Sequence, residues 1–166
     1  MKRTLTALTV AATMFASSAS AFDPDDLQEL KDTNFCWECD LSGADLSDVD
    51  LSGANLRWAN LSDANLSGAD LGGAELNGTN LTGVYLTGAN LRDAKLWGAE
   101  MTDANLSGAF LRGADLSDAN LTGANLIGAD LTDAYLKDAE LAYTARKDAI
   151  FCNTTMTNGS VDNSGC

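Results

Sequence analysis

The side chains able to do chemistry are few in kind in this chain. Among 166 residues there is no histidine, there are four cysteines, and 24 acidic residues stand against ten lysines and arginines. Without an imidazole, neither a Ser/His/Asp nor a Cys/His nucleophilic centre can be assembled. The carboxylates recur with a fixed rhythm, as at Asp45, Asp50, Asp115 and Asp130, which suits solvated turn residues better than a held acid/base pair. Gly72-Gly73 precedes no strand-to-helix unit, so it is not a phosphate loop. The cysteines remain. Cys36-x-x-Cys39 has the spacing of a staple, a redox centre or half of a zinc site. The absence of histidine and of any βαβ pattern favours the staple. Cysteines of an exported chain are also mostly oxidised. No catalytic residue, cofactor or metal ligand is expected, and the chain is read as a non-enzyme.

Export itself is expected from the first 21 residues. Lys2 and Arg3 form a basic start, Leu5 to Phe15 an apolar core, and Ala19-Ser20-Ala21 a small-x-small cleavage site before Phe22. The apolar run falls short of the ~20 residues a membrane span needs, and no later segment is apolar enough to cross a bilayer. No cysteine follows the cleavage site, so no lipid anchor is expected. The mature chain is therefore read as periplasmic or secreted in a bacterium, after a Sec-type signal peptide. Loss of Lys2 and Arg3 takes the formal charge from −14 to −16. A surface of that sign repels nucleic acid and keeps an elongated β-protein with open edges soluble.

What must position these residues is a repeat. From Leu41 to Leu141 a leucine stands at every fifth position, Met101 being the exception. Two residues before it stands alanine, replaced only by Cys39, Val49, Thr79 and Val84. One unit reads Ala104-Asn105-Leu106-Ser107-Gly108. On a helix a five-residue period smears the leucines around the circumference, and in a flat strand an odd period sends them to alternate faces. Keeping both apolar positions inside requires a bend in every pentapeptide. Short extended sides joined by turns then make a coil that stacks on itself. Glycine or aspartate at the fifth position tolerates the backbone of a corner.

Carried over some hundred positions, this A-(N/D)-L-(S/T)-(G/D) pattern closely resembles the pentapeptide-repeat family. The resemblance implies an all-β fold, a right-handed quadrilateral β-helix with four pentapeptides per coil, Leu and Ala inside and three residues outside. Twenty-one central positions give about five coils, a rod of roughly 25 Å. The expected segments are a signal peptide (1–21), an N-terminal cap (22–40), the β-helix (41–151) and a C-terminal disulfide hairpin (152–166). Residues 22–35 read as a short helix over the first coil, with Asp23 as N-cap, Pro24 at the first helical position, Asp26 in a capping box, and Leu27 and Leu30 on one face. Across such a rod no disulfide can join the ends, because its Cα atoms must lie within ~7 Å. That leaves Cys36 with Cys39 and Cys152 with Cys166. Asn158-Gly159 predicts a two-residue hairpin turn. The C-x-x-C entrance and the Phe151-Cys152-Asn153-Thr154-Thr155-Met156 exit are similar to those of exported bacterial members, although Thr157-Asn158 stands where a Pro-Asp turn is expected.

With four units per coil, residues twenty apart share a side. Leu56, Leu76, Leu96, Leu116 and Leu136 then define one face, whose outward positions carry Arg57, Trp58, Lys95, Trp97, Tyr135 and Lys137. Aromatic and cationic groups together are what binding surfaces enrich. This is the candidate partner face of an exported scaffold for a protein or an envelope polymer. Against it stands a local ladder in which Lys95 pairs with Glu75 and Asp115. The family also suggests an alternative, a DNA-mimic inhibitor of a topoisomerase. The hydroxyl column Ser42, Ser62, Thr82, Thr102 and Thr122 is the ordinary outward residue of the repeat rather than a ligand site. Open edges at the rod ends also allow an end-to-end homodimer.

Overall fold

A single pentapeptide shows where the backbone hydrogen bonds go. In residues 104–108 the amide of Ala104 donates to Met101 O at 3.1 Å, closing a β-turn, while Asn105 N donates to Val84 O at 2.9 Å in the coil before. Leu106 N and Gly108 N donate to Asn125 O and Ile127 O in the coil after, at 2.8 and 2.9 Å. The fifth amide, that of Ser107, donates to the Asn105 side chain at 3.2 Å. All five donors are satisfied, as buried backbone requires. This explains why the residue before each leucine is so often Asn or Asp: its side chain makes an Asx turn with the amide two residues on.

The corner has an equally specific demand. The residue two after each leucine sits at positive φ throughout, from Glu38 at 59° to Asn153 at 54°. A β-turn with positive φ at its third position is of type II, which glycine occupies without strain and Asp or Asn with little. Corner side chains also lean along the axis. The carboxylates of Asp63 and Asp103 lie where a side chain on Gly83 or Gly123, one coil on, would begin. Asp48, Asp63, Asp93 and Asp103 are each followed, twenty residues later, by a corner glycine.

In this computed structural model, which describes residues 22–166, parallel bridges join each pre-leucine position to the one twenty residues later, from Phe35↔Asn55 to Tyr135↔Thr155. The shift of twenty is the four-unit coil, and the leader expected at 1–21 lies outside the described residues. Each side pairs through one bridging residue between turns, so regular strand is confined to the C-terminal hairpin among the described residues. The ladder starts one pentapeptide earlier than the leucine run suggests, because Cys36 already fills a central position, and it runs on past Leu141 through positions 146 and 151. Six coils, about 29 Å, replace the expected five. The interior is leucine and alanine with essentially no exposure. Thr79 and Thr154 stand in alanine positions, and their buried hydroxyls donate to Leu56 O and Leu131 O at 2.8 and 2.7 Å.

Helix α1, Pro24–Thr33, lies over the first coil and buries Leu30. Asp23 caps it, accepting from Asp25 N at 2.9 Å. Asp26 does not form the expected capping box. Its carboxylate accepts from Asp40 N at 2.7 Å, while Asp23 N donates to Asp40 O at 2.9 Å, so the helix satisfies an open edge of the first coil rather than its own terminus. Cys36 and Cys39 are bonded inside that coil, their Cα atoms 5.3 Å apart.

At the far end Leu141 is only half-buried and Arg146, in a leucine position, is exposed. Strands β1 (Thr154–Thr155) and β2 (Val161–Asp162) pair antiparallel, and Cys152 is bonded to Cys166 with Cα atoms 4.8 Å apart. The hairpin turn differs from expectation. Gly159 N donates to Met156 O at 2.8 Å, and of the turn residues only Gly159 has positive φ, at 79°. The loop between the paired strands is therefore five residues, ending at a left-handed glycine. A two-residue type I′ turn would need Asn158 left-handed as well. Asn158 instead uses its side chain to accept from Ser160 N at 2.9 Å.

Candidate binding face

The bridge register places Arg57, Trp58, Lys95, Trp97, Tyr135 and Lys137 on one side of the rod, called here the Leu76 face. The cations are not free. Arg57 Nη1 and Lys95 Nζ approach the two oxygens of Glu75 at 3.0 and 2.9 Å, one from the coil before and one from the coil after. Of the ladder expected around Lys95, the pair with Glu75 is formed and the pair with Asp115 is not found among the described residues; the second cation on Glu75 is Arg57. The hydrogen bond and charge of Lys95, then the charge of Arg57, hold the Glu75 carboxyl below its usual range. A depressed carboxylate stabilises the fold above its ordinary pKa and loses that contribution as pH falls through the depressed value. Both cations are about half exposed, so water and salt screen the clamp. Lys137 lies 3.7 Å from Asp138, its own neighbour.

Two of the three rings are anchored. Trp58 occupies a corner at φ 60°, a conformation costly for a bulky residue, and its six-membered ring covers Gly78 of the next coil. The Trp97 indole N–H donates to Asp118 at 2.8 Å across one coil. Tyr135 bridges Asp115 and Thr155 through its backbone and keeps its ring outside. All three rings remain about half exposed.

Two further aromatics share this side. Phe35 and Trp37 flank Cys36 on the first coil, are 45% and 50% exposed, and gather all three tryptophans of the chain onto one face. Their signal was in the sequence: Cys36 lies twenty residues before Leu56. A cation also lies over an aromatic ring on the adjacent side, where the Arg92 guanidinium is 4.7 Å from the centre of Phe110. Among the described residues, the one grouping of three potential ligand atoms, from Asp26, Glu29 and Cys39, has its sulfur committed to a disulfide. No described helix is long and apolar enough to cross a membrane.

No curated protein sequence matches the chain significantly. Several solved structures are similar to it. A pentapeptide repeat protein from the cyanobacterium Cyanothece 51142, Rfr23, is 30% identical, with 75% of this chain and 92% of that one covered and a TM-score of 0.49. HetL from Nostoc sp. strain PCC 7120, a pentapeptide repeat protein involved in heterocyst differentiation regulation, is 35% identical over 77% and 72% of the two chains, with a TM-score of 0.36. QnrB1, a plasmid-mediated fluoroquinolone resistance protein, is 20% identical over 78% and 82%, with a TM-score of 0.33. The family model for pentapeptide repeats matches in eight copies, through overlapping stretches 30–68, 39–78, 59–98, 79–118, 99–138 and 119–158. With most of the described chain inside those matches and a twenty-residue coil beneath them, this protein belongs to the pentapeptide-repeat family.

Proposed function

We propose that the chain is a non-enzymatic, exported scaffold whose Leu76 face docks a partner. One observation carries the reading: every tryptophan, with Tyr135 and three cations, lies on one side of a rod of net acidic charge held rigid by its coil-to-coil hydrogen bonds. Rings immobilised beforehand lose little freedom on binding, and aromatic side chains dominate binding energetics. The mature chain begins at Phe22 in this reading. An intact mass showing an uncleaved, cytoplasmic product would remove the export element.

The docking element is tested by capture from envelope extract. Trp58→Ala combined with Trp97→Ala should weaken capture at least tenfold with little change in melting temperature. Normal capture by that double variant, together with loss on substituting Tyr85 or Phe110, would assign the wrong face. Mimicry of duplex DNA at a topoisomerase needs continuous acidity, which the clamped cations and rings of this face interrupt. Inhibition of gyrase supercoiling by the mature chain would nonetheless displace the docking reading.

A further inference from the structure

The rings of the Leu76 face run the length of the rod, led by Phe35 and Trp37 on the first coil, one coil before Trp58. Trp58, Trp97 and Tyr135 stand on the second, fourth and sixth coils, so an interval of two coils, about 10 Å, separates each from the next. That exceeds the 4.5–7 Å at which aromatic rings pack on one another, so these three do not stack together. A protein hot spot is a compact cluster sealed from water by its neighbours. A row of rings that runs from the first coil to the sixth, at two-coil intervals from Trp58 onward, suits a long, repeating ligand instead.

The charges narrow its chemistry. Arg57 and Lys95 are both used on Glu75, Lys137 lies beside Asp138, and Asp115 and Asp118 sit within the row. No line of unpaired cations tracks an anionic backbone, so the ligand is neutral. Asn77 and Ser117 stand on the intervening coils as partners for hydroxyl groups. Resting on the docking-face reading, we infer that this face binds an uncharged, extended β-1,4-linked polysaccharide. In such a chain the apolar C–H faces of the sugar rings recur with the disaccharide, a repeat comparable to two coils of this rod. The rings step across the face, from the corner at Trp58 to the positions after and before leucine at Trp97 and Tyr135. The glycan therefore lies oblique to the axis, with one sugar on each ring.

Retention of the mature chain on insoluble cellulose and chitin is the test, with insoluble starch as the α-1,4-linked control. Tryptophan fluorescence with soluble cello-oligosaccharides reads the affinity. The expected result is retention on the two β-linked polymers and not on starch. A hexasaccharide should bind at least tenfold more tightly than a disaccharide, because only the longer chain spans two intervals. Trp58→Ala with Trp97→Ala should weaken binding at least tenfold, while Tyr85→Ala leaves it unchanged and both variants melt near the parent. Equal retention of the double variant, or equal retention on starch, overturns the inference. If no glycan is held but a protein is captured from envelope extract through the same tryptophans, the glycan inference falls and the docking face stands. If capture depends on neither tryptophan, both fall.

Discussion

The Leu76 face and the face opposite it, built on Leu46, Leu66, Leu86, Leu106 and Leu126, are indistinguishable from inside the rod and unlike from outside. Inside, both present fully buried leucine with alanine two residues before it, Val84 excepted. Outside, the Leu86 face follows the repeat more closely, with Tyr85 and Ile127 as its exposed departures. Asp45, Asn65, Asn105 and Asn125 each accept from the amide two residues on, and Asn65 and Asn125 donate one coil back to Asp45 and Asn105, both at 3.2 Å. Its corners from Asp48 to Asp148 are all Gly or Asp. On the Leu76 face Glu75, Lys95 and Tyr135 replace the Asx residue and Trp58 replaces the corner glycine. Only Asn55 and Asp115, among its positions 55 to 135, keep the turn bond. The departures weaken local turn geometry without gaining burial. That pattern is what the docking face proposed above would require, and the Glu75 clamp is the part of it that also serves the fold.

The largest expected effect tests the claim that the two faces are equal within. Leu76→Asp and Leu86→Asp each bury a carboxylate among apolar side chains and should each cost more than about 4 kcal/mol. That lowers the melting temperature by roughly 10 °C. Thr87→Asp, next to Leu86 but exposed, should stay within about 0.5 kcal/mol of the parent. Thermal denaturation of the three variants decides it. A Leu86→Asp protein that melts like Thr87→Asp would place that leucine outside.

This same division sets what the sequence disclosed. The solenoid, the inward leucines and the two cysteine pairs were legible because one buried position per five residues repeats without ambiguity. The coil starting at Cys36 was legible only in phase, since a cysteine does not look like a core leucine until its pair closes inside. Asp26 was misread because a capping box is a local motif, while its observed partner, Asp40 N, is 14 residues away. The hairpin turn was misread because Asn-Gly suits two loop geometries and the strand register chooses between them. The Glu75 clamp, and the rings of Trp58 over Gly78 and Trp97 on Asp118, depend on rotamers in adjacent coils, which a linear pattern does not encode.

A smaller effect should separate the faces at the C-terminal end. Strand β1 continues the Leu76 face, since Leu136 N donates to Thr155 O at 2.7 Å, whereas on the opposite face Leu126 N donates to Ala145 O at 2.8 Å, away from the hairpin. Opening Cys152–Cys166 with Cys152→Ser and Cys166→Ser releases a loop of about 15 residues and should cost about 3 kcal/mol. Hydrogen exchange should then show the Leu136 amide losing protection before that of Leu126. Equal loss at the two amides would mean that the hairpin staples the whole end, and that the faces do not differ there.

The smallest expected effect is the most discriminating. Trp58→Gly removes a residue held at φ 60°, where a bulky side chain costs roughly 1–2 kcal/mol. Against that relief stand the greater freedom of glycine in the unfolded chain, about 0.5–1 kcal/mol, and the lost contact of the indole with Gly78. The terms nearly cancel, so stability should change by less than about 1 kcal/mol. A tryptophan retained for packing would behave otherwise, since removing it would cost about 3 kcal/mol or more. Melting temperature and glycan affinity measured on one preparation therefore separate the two roles. Unchanged melting with affinity reduced at least tenfold is the expected pair. A large fall in melting temperature would make Trp58 part of the scaffold, and the strained corner would then be a packing device shared in kind with the Asp63 and Asp103 corners that lean over their own glycines.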